Sequence, residues 1–125
     1  MNLEEFRDYC PSKIAASESM PFGEGILVFK VAGKLFALAA LDEIPATVNL
    51  KCNPDLALAL RDQYDQVQPG YHMNKKHWNT VEIDSGIPDA ELRKMIDHSY
   101  ELVVQGLPKK TREKLRRSRR MQDLA

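Results

Sequence analysis

Two apolar segments with a two-residue turn between them constrain the fold of this chain most strongly. The segments are ILVFKV at 26–31 and KLFALAAL at 34–41, and Ala32 and Gly33 separate them. This arrangement predicts a β-hairpin. Because nearly every residue of both strands is apolar, we expect the hairpin to lie centrally in a sheet or to be covered on both faces.

Alternating apolar and polar residues predict two further strands. The third strand follows the hairpin and separates its side chains onto an apolar and a polar face, with Lys51 on the polar face. A strand over 78–83 likewise places Val81 in the core and turns Trp78 to the opposite side. Residues 71–73 are a candidate for a short additional strand.

Helical spacing of apolar residues predicts three helices, and an asparagine precedes two of them as a candidate N-cap. The first helix should end or kink at Pro11, and the polar segment 17–25 after it indicates an ordered loop. In the second helix we expect Leu56, Leu60 and Tyr64 to form the buried stripe. The expected helices are 2–9 with Asn2 as the N-cap, 54–65 with Asn53 as the N-cap, and 88–105.

Strands joined by hairpins, with the helices set apart, indicate an α+β domain rather than a doubly wound fold. The expected order is α-β(3)-α-β(2)-α in two layers with an antiparallel sheet. A length of 125 residues allows one domain with one core, which we place at residues 1–108. Residues 109–125 would form a basic helix, a loose end or an arm that orders on a polyanion.

Charge is balanced over the whole chain but unevenly distributed. Residues 1–108 contain 10 lysines and arginines against 16 acidic residues, and residues 109–125 contain 8 against 2. Binding of a polyanion is therefore expected only at local patches. Cys10 and Cys52 form neither a metal-binding spacing nor a disulfide framework, and no apolar run approaches the roughly 20 residues of a membrane span. We therefore expect a cytoplasmic protein without membrane contact.

The segment PGYHMNKKHWNTV at 69–81 concentrates side chains that bind ligands. It contains two histidines, two adjacent lysines and the only tryptophan of the chain. Lys75 and Lys76 suit phosphates, and Trp78 suits stacking on an unpaired base. The alternative is structural, with the lysines on a solvated loop and the tryptophan as an anchor of the sheet.

Catalytic and metal-binding patterns are poorly matched. His72 and His77 are five residues apart, so they do not reproduce the i, i+4 zinc pair of a helix. No Ser-His-Asp order and no G-x-S-x-G elbow is present. We expect a protein without catalytic activity, metal or cofactor, and a metal-assisted site at the two histidines is the alternative.

Several motifs occur together in a recognisable order. They are PFGEG at 21–25, VFKVAGKLFAL at 28–38, NLKCNP at 49–54, LR at 60–61, the 69–81 segment, and SYELV at 99–103. Over roughly residues 1–110 the chain thus resembles the MmcQ/YjbR family of small bacterial proteins. The resemblance implies a two-layer α+β fold that is likened to secretion chaperones and to CyaY. It also implies DNA binding through a double-wing architecture, and it does not extend to residues 109–125.

We therefore predict a non-enzymatic DNA-binding protein of low sequence specificity, for duplex or single-stranded DNA. The alternative is a protein- or small-ligand-binding module that uses the same face, which the acidic balance of residues 1–108 favours. The predicted contact residues are Lys30, Lys34, Lys51, Tyr71, Asn74, Lys75, Lys76, His77, Trp78 and Asn79, with Arg112, Arg116 and Arg117 in the tail.

Overall fold

The structure is a computed structural model that describes residues 1–124. Its strands are β1 (Ala16–Ser19), β2 (Ile26–Val31), β3 (Lys34–Ala40), β4 (Thr47–Lys51), β5 (Val67–Pro69) and β6 (Trp78–Glu82). Its helices are α1 (Leu3–Tyr9), α2 (Pro54–Gln63), α3 (Asp89–Gln105) and α4 (Lys109–Asp123), with a 3-10 turn at Cys10–Ser12. The six strands form one antiparallel sheet in the order β1-β2-β3-β4-β6-β5. The predicted α+β class is confirmed.

Both edge strands differ from the prediction. The segment 17–25 was expected to be a loop, but its start forms β1, which pairs with β2 from Ala16–Val31 to Ser19–Val28. Three of the four residues of β1 are exposed, so the strand has no apolar alternation and forms because β2 offers unpaired backbone groups. The extra strand lies at β5 rather than at 71–73. The order is therefore α-β(4)-α-β(2)-α-α.

The predicted hairpin forms the centre of the β1–β4 half of the sheet. Ala32 and Gly33 join β2 to β3, and both residues have positive φ angles, of 49° and 79°. Two consecutive residues with positive φ are typical of the type I′ turn, which matches the twist of the two strands. The pairing of the hairpin shifts between Phe29 and Lys30, so β3 contains one extra residue at this point.

Helix α3 holds the sheet together where β3 and β4 separate. The buried Ser99 hydroxyl donates to the Phe36 carbonyl oxygen and accepts from the Lys51 backbone N–H at 2.9 Å. Aromatic rings continue this contact through the core, since Phe36 lies 5.4 Å from Tyr100 and Phe29 lies 5.6 Å from Phe6, centroid to centroid. These contacts attach α1 and α3 to the same face of the sheet.

One face of the sheet is packed and the other is not covered by a helix. The hydrophobic core joins strand residues such as Leu27, Val48 and Val81 to residues of α1, α3 and α4. Helix α2 lies on that side as well, because the core-facing Asn79 approaches the Ala57 carbonyl oxygen of α2. We call the opposite side the outer face. Its side chains, with the exception of Val28, remain partly or fully exposed; they include Ile26, Lys30, Leu35, Leu38, Asn49, Lys51, Trp78, Thr80 and Glu82.

The helix starts agree with the prediction, and the buried face of α2 agrees in part. Asn2 forms a capping box with Glu5, and the Asn53 side chain accepts from the first turn of α2. However, Ala57 is the buried residue of α2, and Leu56 is 40 % exposed. Leu60 and Tyr64 are partly buried and pack against the core, as predicted, while Leu56 and Leu60 also border a cleft. No helix formed within residues 1–124 is long and apolar enough to cross a membrane.

Candidate nucleic-acid interface

Antiparallel pairing gathers five lysines at one end of the sheet. Strands β2 and β4 end there, and β3 and β6 begin there, because Val31 pairs with Lys34 and Lys51 pairs with Trp78. The turn 32–33 and the loop 70–77 close this end, and neither contains an acidic residue. We call the set the basic end; its members are Lys30, Lys34, Lys51, Lys75 and Lys76.

Lys51 and Trp78 are direct cross-strand partners on the outer face. Side chains at such positions have Cβ atoms about 5 Å apart. The prediction that Trp78 and Lys51 share one side of the sheet is confirmed. Both side chains are half-buried, whereas Lys75 and Lys76 in the preceding loop are exposed. The arrangement places an aromatic ring beside several positive charges.

The loop between β5 and β6 is held by its own backbone. The Gly70 N–H donates to the Trp78 carbonyl oxygen at 2.9 Å, and the Met73 N–H donates to the Gly70 carbonyl oxygen at 3.2 Å. The Asn74 side chain accepts from the Lys76 N–H at 3.0 Å, which fixes a local turn. Asn74, a predicted contact, therefore orients the lysines beside it.

Gly70 allows the backbone to approach Trp78 closely. A Cβ atom at position 70 would lie 2.8 Å from the Trp78 Cβ and 2.9 Å from its carbonyl oxygen. Real Cβ atoms are not found so close to backbone atoms, so a larger residue would displace Trp78. The glycine thus sets the position of the tryptophan.

Arg61 of α2 holds the same loop in place through hydrogen bonds, a role that was not predicted from the sequence. Its guanidinium donates to the Asn79 Oδ1 at 2.7 Å and also to the carbonyl oxygens of Lys75 and Trp78. The sequence signal for this role is the LR pair at 60–61, one of the motifs that carry the family resemblance. Arg61 links α2 to both ends of the Lys75–Trp78 segment.

Asn79 must be removed from the predicted contacts. It is 2 % exposed and lies opposite Leu50 on the core face, where Arg61 and the Ala57 carbonyl oxygen are its partners. The same alternation that turns Trp78 outward turns Asn79 inward. The composition of the segment indicates a contact role for Asn79, but strand parity overrides it.

The aromatic and histidine members of the loop have different environments. Tyr71 is 68 % exposed, and its ring lies 4.0 Å from the His72 ring, centroid to centroid. His77 is half-buried, and its carbonyl oxygen accepts from the Cys52 N–H at 2.8 Å. Tyr71 is thus available at the surface, while the backbone of His77 ties the loop to the end of β4.

The basic tail forms helix α4, one of the outcomes left open by the sequence. Leu115 is its buried residue, and Arg119 pairs with Glu101 of α3 at 2.7 Å. The helix begins three residues after Gly106, which borders one crevice together with Lys34 and Lys51. Helix α4 therefore starts near the basic end. Its exposed cations are Lys109, Lys110, Arg112, Lys114, Arg116, Arg117 and Arg120, which include all three predicted tail contacts.

The other end of the sheet has the opposite charge. The segments 20–25, 41–46 and 83–88 connect elements there and contain no lysine or arginine. We call this region the acidic end; its members are Glu24, Asp42, Glu43, Glu82 and Asp84. Glu82 pairs with Thr47 on the outer face and so opposes the Lys51–Trp78 pair along the same two strands.

A small cleft of about 170 Å³ lies between α2 and α3 on the packed side. Its lining is mostly apolar, and His98 at its border accepts from the Asn53 N–H through Nε2 at 3.1 Å. Burial lowers the pKa of the His98 imidazole, which favours its neutral form, and raises the pKa of the Cys52 thiol to about 11. Cys52 is therefore a protonated thiol at neutral pH. No group of three potential metal ligands occurs among residues 1–124.

These features define a small α+β protein whose antiparallel sheet has helices on one face, an open second face and ends of opposite charge. The YjbR family model matches residues 12–102. The chain belongs to the YjbR family.

Relatives and solved structures agree with this assignment. The chain is 36 % identical to the uncharacterized protein YjbR of Escherichia coli K12 over 115 residues, which cover 92 % of this chain and 98 % of the relative. It is 43 % identical to the uncharacterized protein YbdF of Escherichia coli O157:H7 over 97 residues, or 77 % of this chain and 79 % of the relative.

Among solved structures, the crystal structure of Deinococcus radiodurans protein DR2400, with a DUF419 domain, has a TM-score of 0.85 at 33 % identity. That match covers 91 % of this chain and 87 % of the other. A crystal structure of a Pseudomonas syringae protein has a TM-score of 0.72 at 29 % identity, with 82 % and 98 % covered. The names of these relatives and structures state no activity.

Proposed function

We propose that this protein is a non-enzymatic DNA-binding protein that holds the phosphate backbone at the basic end of its sheet. The observation that carries the proposal is the convergence of five lysines from four separate segments on one end of the fold. Within residues 1–124, none of these five lysines forms a salt bridge with a carboxylate. Their charges are therefore available to phosphates.

Helix α4 extends the cationic surface beyond the sheet. Arg112, Arg116 and Arg117 are exposed on it, while Leu115 and Arg119 attach it to the rest of the protein. A helix attached by so few side chains is marginal alone, and a polyanion would stabilise it by neutralising its repelling charges. We expect α4 to add affinity and little sequence information.

Modest specificity follows from the types of side chain at the interface. Lysines bind phosphates and position a protein on DNA, whereas amides and arginines read base edges. Asn79 is buried and Asn74 accepts from the Lys76 backbone, so neither amide is free to read a base edge in full. The interface is suited to the backbone and to base planes.

A salt titration tests the proposal directly. Labelled duplex and single-stranded DNA of equal length would be titrated with the protein at about 20, 50 and 150 mM salt, with fluorescence anisotropy as the readout. We expect binding at low salt that weakens with a slope of several counterions. Absence of binding at 20 mM salt, or affinity independent of salt, would refute the proposal. Deletion of 109–125 should weaken binding without abolishing it.

The cleft between α2 and α3 supports a second candidate function, the binding of a small apolar ligand. Its apolar lining, with the neutral His98 at the border, suits a ligand with one hydrogen-bonding group. Indole at millimolar concentration would be titrated into ¹⁵N-labelled protein, with expected amide shifts near Cys52 and Met95. The amide signals of Lys75 and Lys76, which do not line the cleft, serve as internal controls. An unchanged spectrum would exclude this function for ligands of that class.

A further inference from the structure

We infer that the outer face selects single-stranded over duplex DNA, with Trp78 as the surface on which an unpaired base stacks. The inference rests on the proposed function and names the form of DNA that the same site takes. It depends on two observations, the position of Trp78 within a broad sheet and the row of lysines beside it.

The position of Trp78 excludes contact with the bases of a straight, closed duplex. Trp78 begins β6, and backbone flanks it on both sides: Lys51 of β4 is its partner on one side, and the Gly70 N–H, just after β5, donates to its carbonyl oxygen on the other. The major groove of duplex DNA, about 12 Å wide, admits a helix or a two-stranded ribbon. Strands are about 4.8 Å apart, so a six-stranded face is too broad to enter it. An unpaired base can reach Trp78 directly, whereas paired bases could do so only in a strongly bent duplex.

Lysines on the outer face mark a path for the backbone of such a strand. Lys51 is the cross-strand partner of Trp78, and Lys30 lies on the same face two strands beyond it. The row from β2 to β6 spans three strand spacings, or roughly 14 Å. Leu35, the partner of Lys30, is partly exposed between them. Alternating cationic and apolar surface is the pattern of single-strand platforms, where bases stack and phosphates pair.

Charge complementarity limits the path to one half of the face. Glu82 lies on the outer face at the far end of β6, beside the acidic connections that contain Asp42 and Asp84. A phosphate backbone is repelled there and attracted at the basic end. The strand should therefore cross the sheet near its basic end, over Trp78, and should not run along β6.

The chain contains one tryptophan, so emission excited selectively at tryptophan, outside tyrosine absorption, reports on Trp78 alone. A 16-nucleotide oligothymidine and a duplex of 16 base pairs would each be titrated at 50 mM salt, with tryptophan emission and anisotropy of a label recorded together. We expect the single strand to quench the emission and to bind about tenfold more tightly than the duplex. The duplex should bind through lysines and leave the emission nearly unchanged.

Variants separate stacking from charge. Trp78→Ala should weaken single-strand binding about tenfold and leave duplex binding within about twofold, because stacking acts only on unpaired bases. Trp78→Phe should retain most of the affinity and guards against a loss of folding. Phe22→Ala is the matched control, since Phe22 is 70 % exposed but lies in the segment leading to the acidic end.

The outcomes distinguish the inference from the proposed function. If neither DNA form binds, the proposed function fails and the inference fails with it. If both forms bind equally and the emission is unchanged, DNA binding stands but stacking on Trp78 is refuted. If Phe22→Ala weakens single-strand binding as much as Trp78→Ala, the path over the basic end is wrong.

Discussion

The basic end and the acidic end of the sheet are built from the same strands, yet they carry opposite charge. Lys51 and Trp78 lie at one end of β4 and β6, and Thr47 and Glu82 lie at the other. Four residue steps along each strand separate the two ends by roughly 13 Å, which exceeds the Debye length of about 8 Å at physiological salt. Neither end is therefore neutralised by the other. The formal net charge is zero, but the positive and negative charges are separated at opposite ends of the sheet.

Reversal of charge at the basic end should have the largest effect. The triple variant Lys51→Glu, Lys75→Glu and Lys76→Glu is expected to weaken DNA binding about 100-fold at 50 mM salt and to lower the salt slope by about two to three. The reason is that DNA phosphates lose three lysine partners and are repelled by the three carboxylates that replace them. Anisotropy titration measures both quantities.

Neutralisation of the acidic end is the matched control for this triple variant. Asp42→Asn combined with Glu43→Gln should raise affinity by less than about threefold, because screening weakens charges beyond one Debye length. Circular dichroism would verify that both variants fold. A triple variant that still binds within about threefold of the unmodified protein would show that DNA is held elsewhere.

Removal of the Arg61 side chain tests whether the basic end is preorganised. Arg61→Ala should lower the free energy of unfolding by about 2 kcal/mol, because it leaves the buried Asn79 Oδ1 without its donor. Lys94→Ala is the control: Lys94 is a cation at the border of the cleft, but its partner is Glu91 at 3.3 Å on the surface. Its effect should stay below about 0.5 kcal/mol.

Urea denaturation measures both variants. DNA affinity of Arg61→Ala should also fall, because the Lys75–Trp78 segment loses the contacts that fix it. Equal stability of the two variants would show that the loop is held by its own backbone bonds and that Arg61 is dispensable.

Glycines at the two ends provide a third comparison. Gly70→Ala would place Cβ 2.8 Å from the Trp78 Cβ, so we expect a loss of about 1.5 kcal/mol and a shift of tryptophan emission. Gly25→Ala at the acidic end meets only the Asp42 Oδ2 at 3.2 Å. That carboxylate can move, so stability should change by less than about 0.5 kcal/mol. An unchanged emission spectrum of Gly70→Ala would contradict the role assigned to Gly70.

The central strands were predictable because their side chains alone specify them. The apolar hairpin, the alternation of β4 and the asparagine caps of α1 and α2 all appear in the structure. Edge strands were not predictable, because β1 is polar and β5 is only three residues long. Their formation depends on pairing with a neighbouring strand, which local sequence does not record.

The candidate site was predictable in part for the same reason. Strand parity correctly placed Trp78 on the side of the sheet that carries Lys51, and the same parity places Asn79 on the core face. Arg61 acts through contacts across 14 to 18 positions of sequence, which no spacing rule reveals. Composition identified the segment and parity oriented Trp78, but the contacts of Arg61 required the fold.

The smallest expected effect concerns the shape of the basic end rather than its charge. Ala32 has a φ angle of 49°, a left-handed conformation that alanine adopts at a cost and asparagine tolerates well. Ala32→Asn should therefore raise the free energy of unfolding by about 0.5 kcal/mol. Ala32→Val is the opposing control, since a β-branched residue at this φ should lower it.

DNA affinity of Ala32→Asn sharpens the comparison between the ends. Lys30 and Lys34 flank the turn and keep their charges in this variant. If charge alone distinguishes the two ends, the affinity should change by less than about twofold while the melting temperature rises. A gain in affinity well beyond twofold would mean that mobility of the turn opposes binding. The hairpin would then act as a wing whose rigidity, and not only its lysines, contributes to holding the DNA.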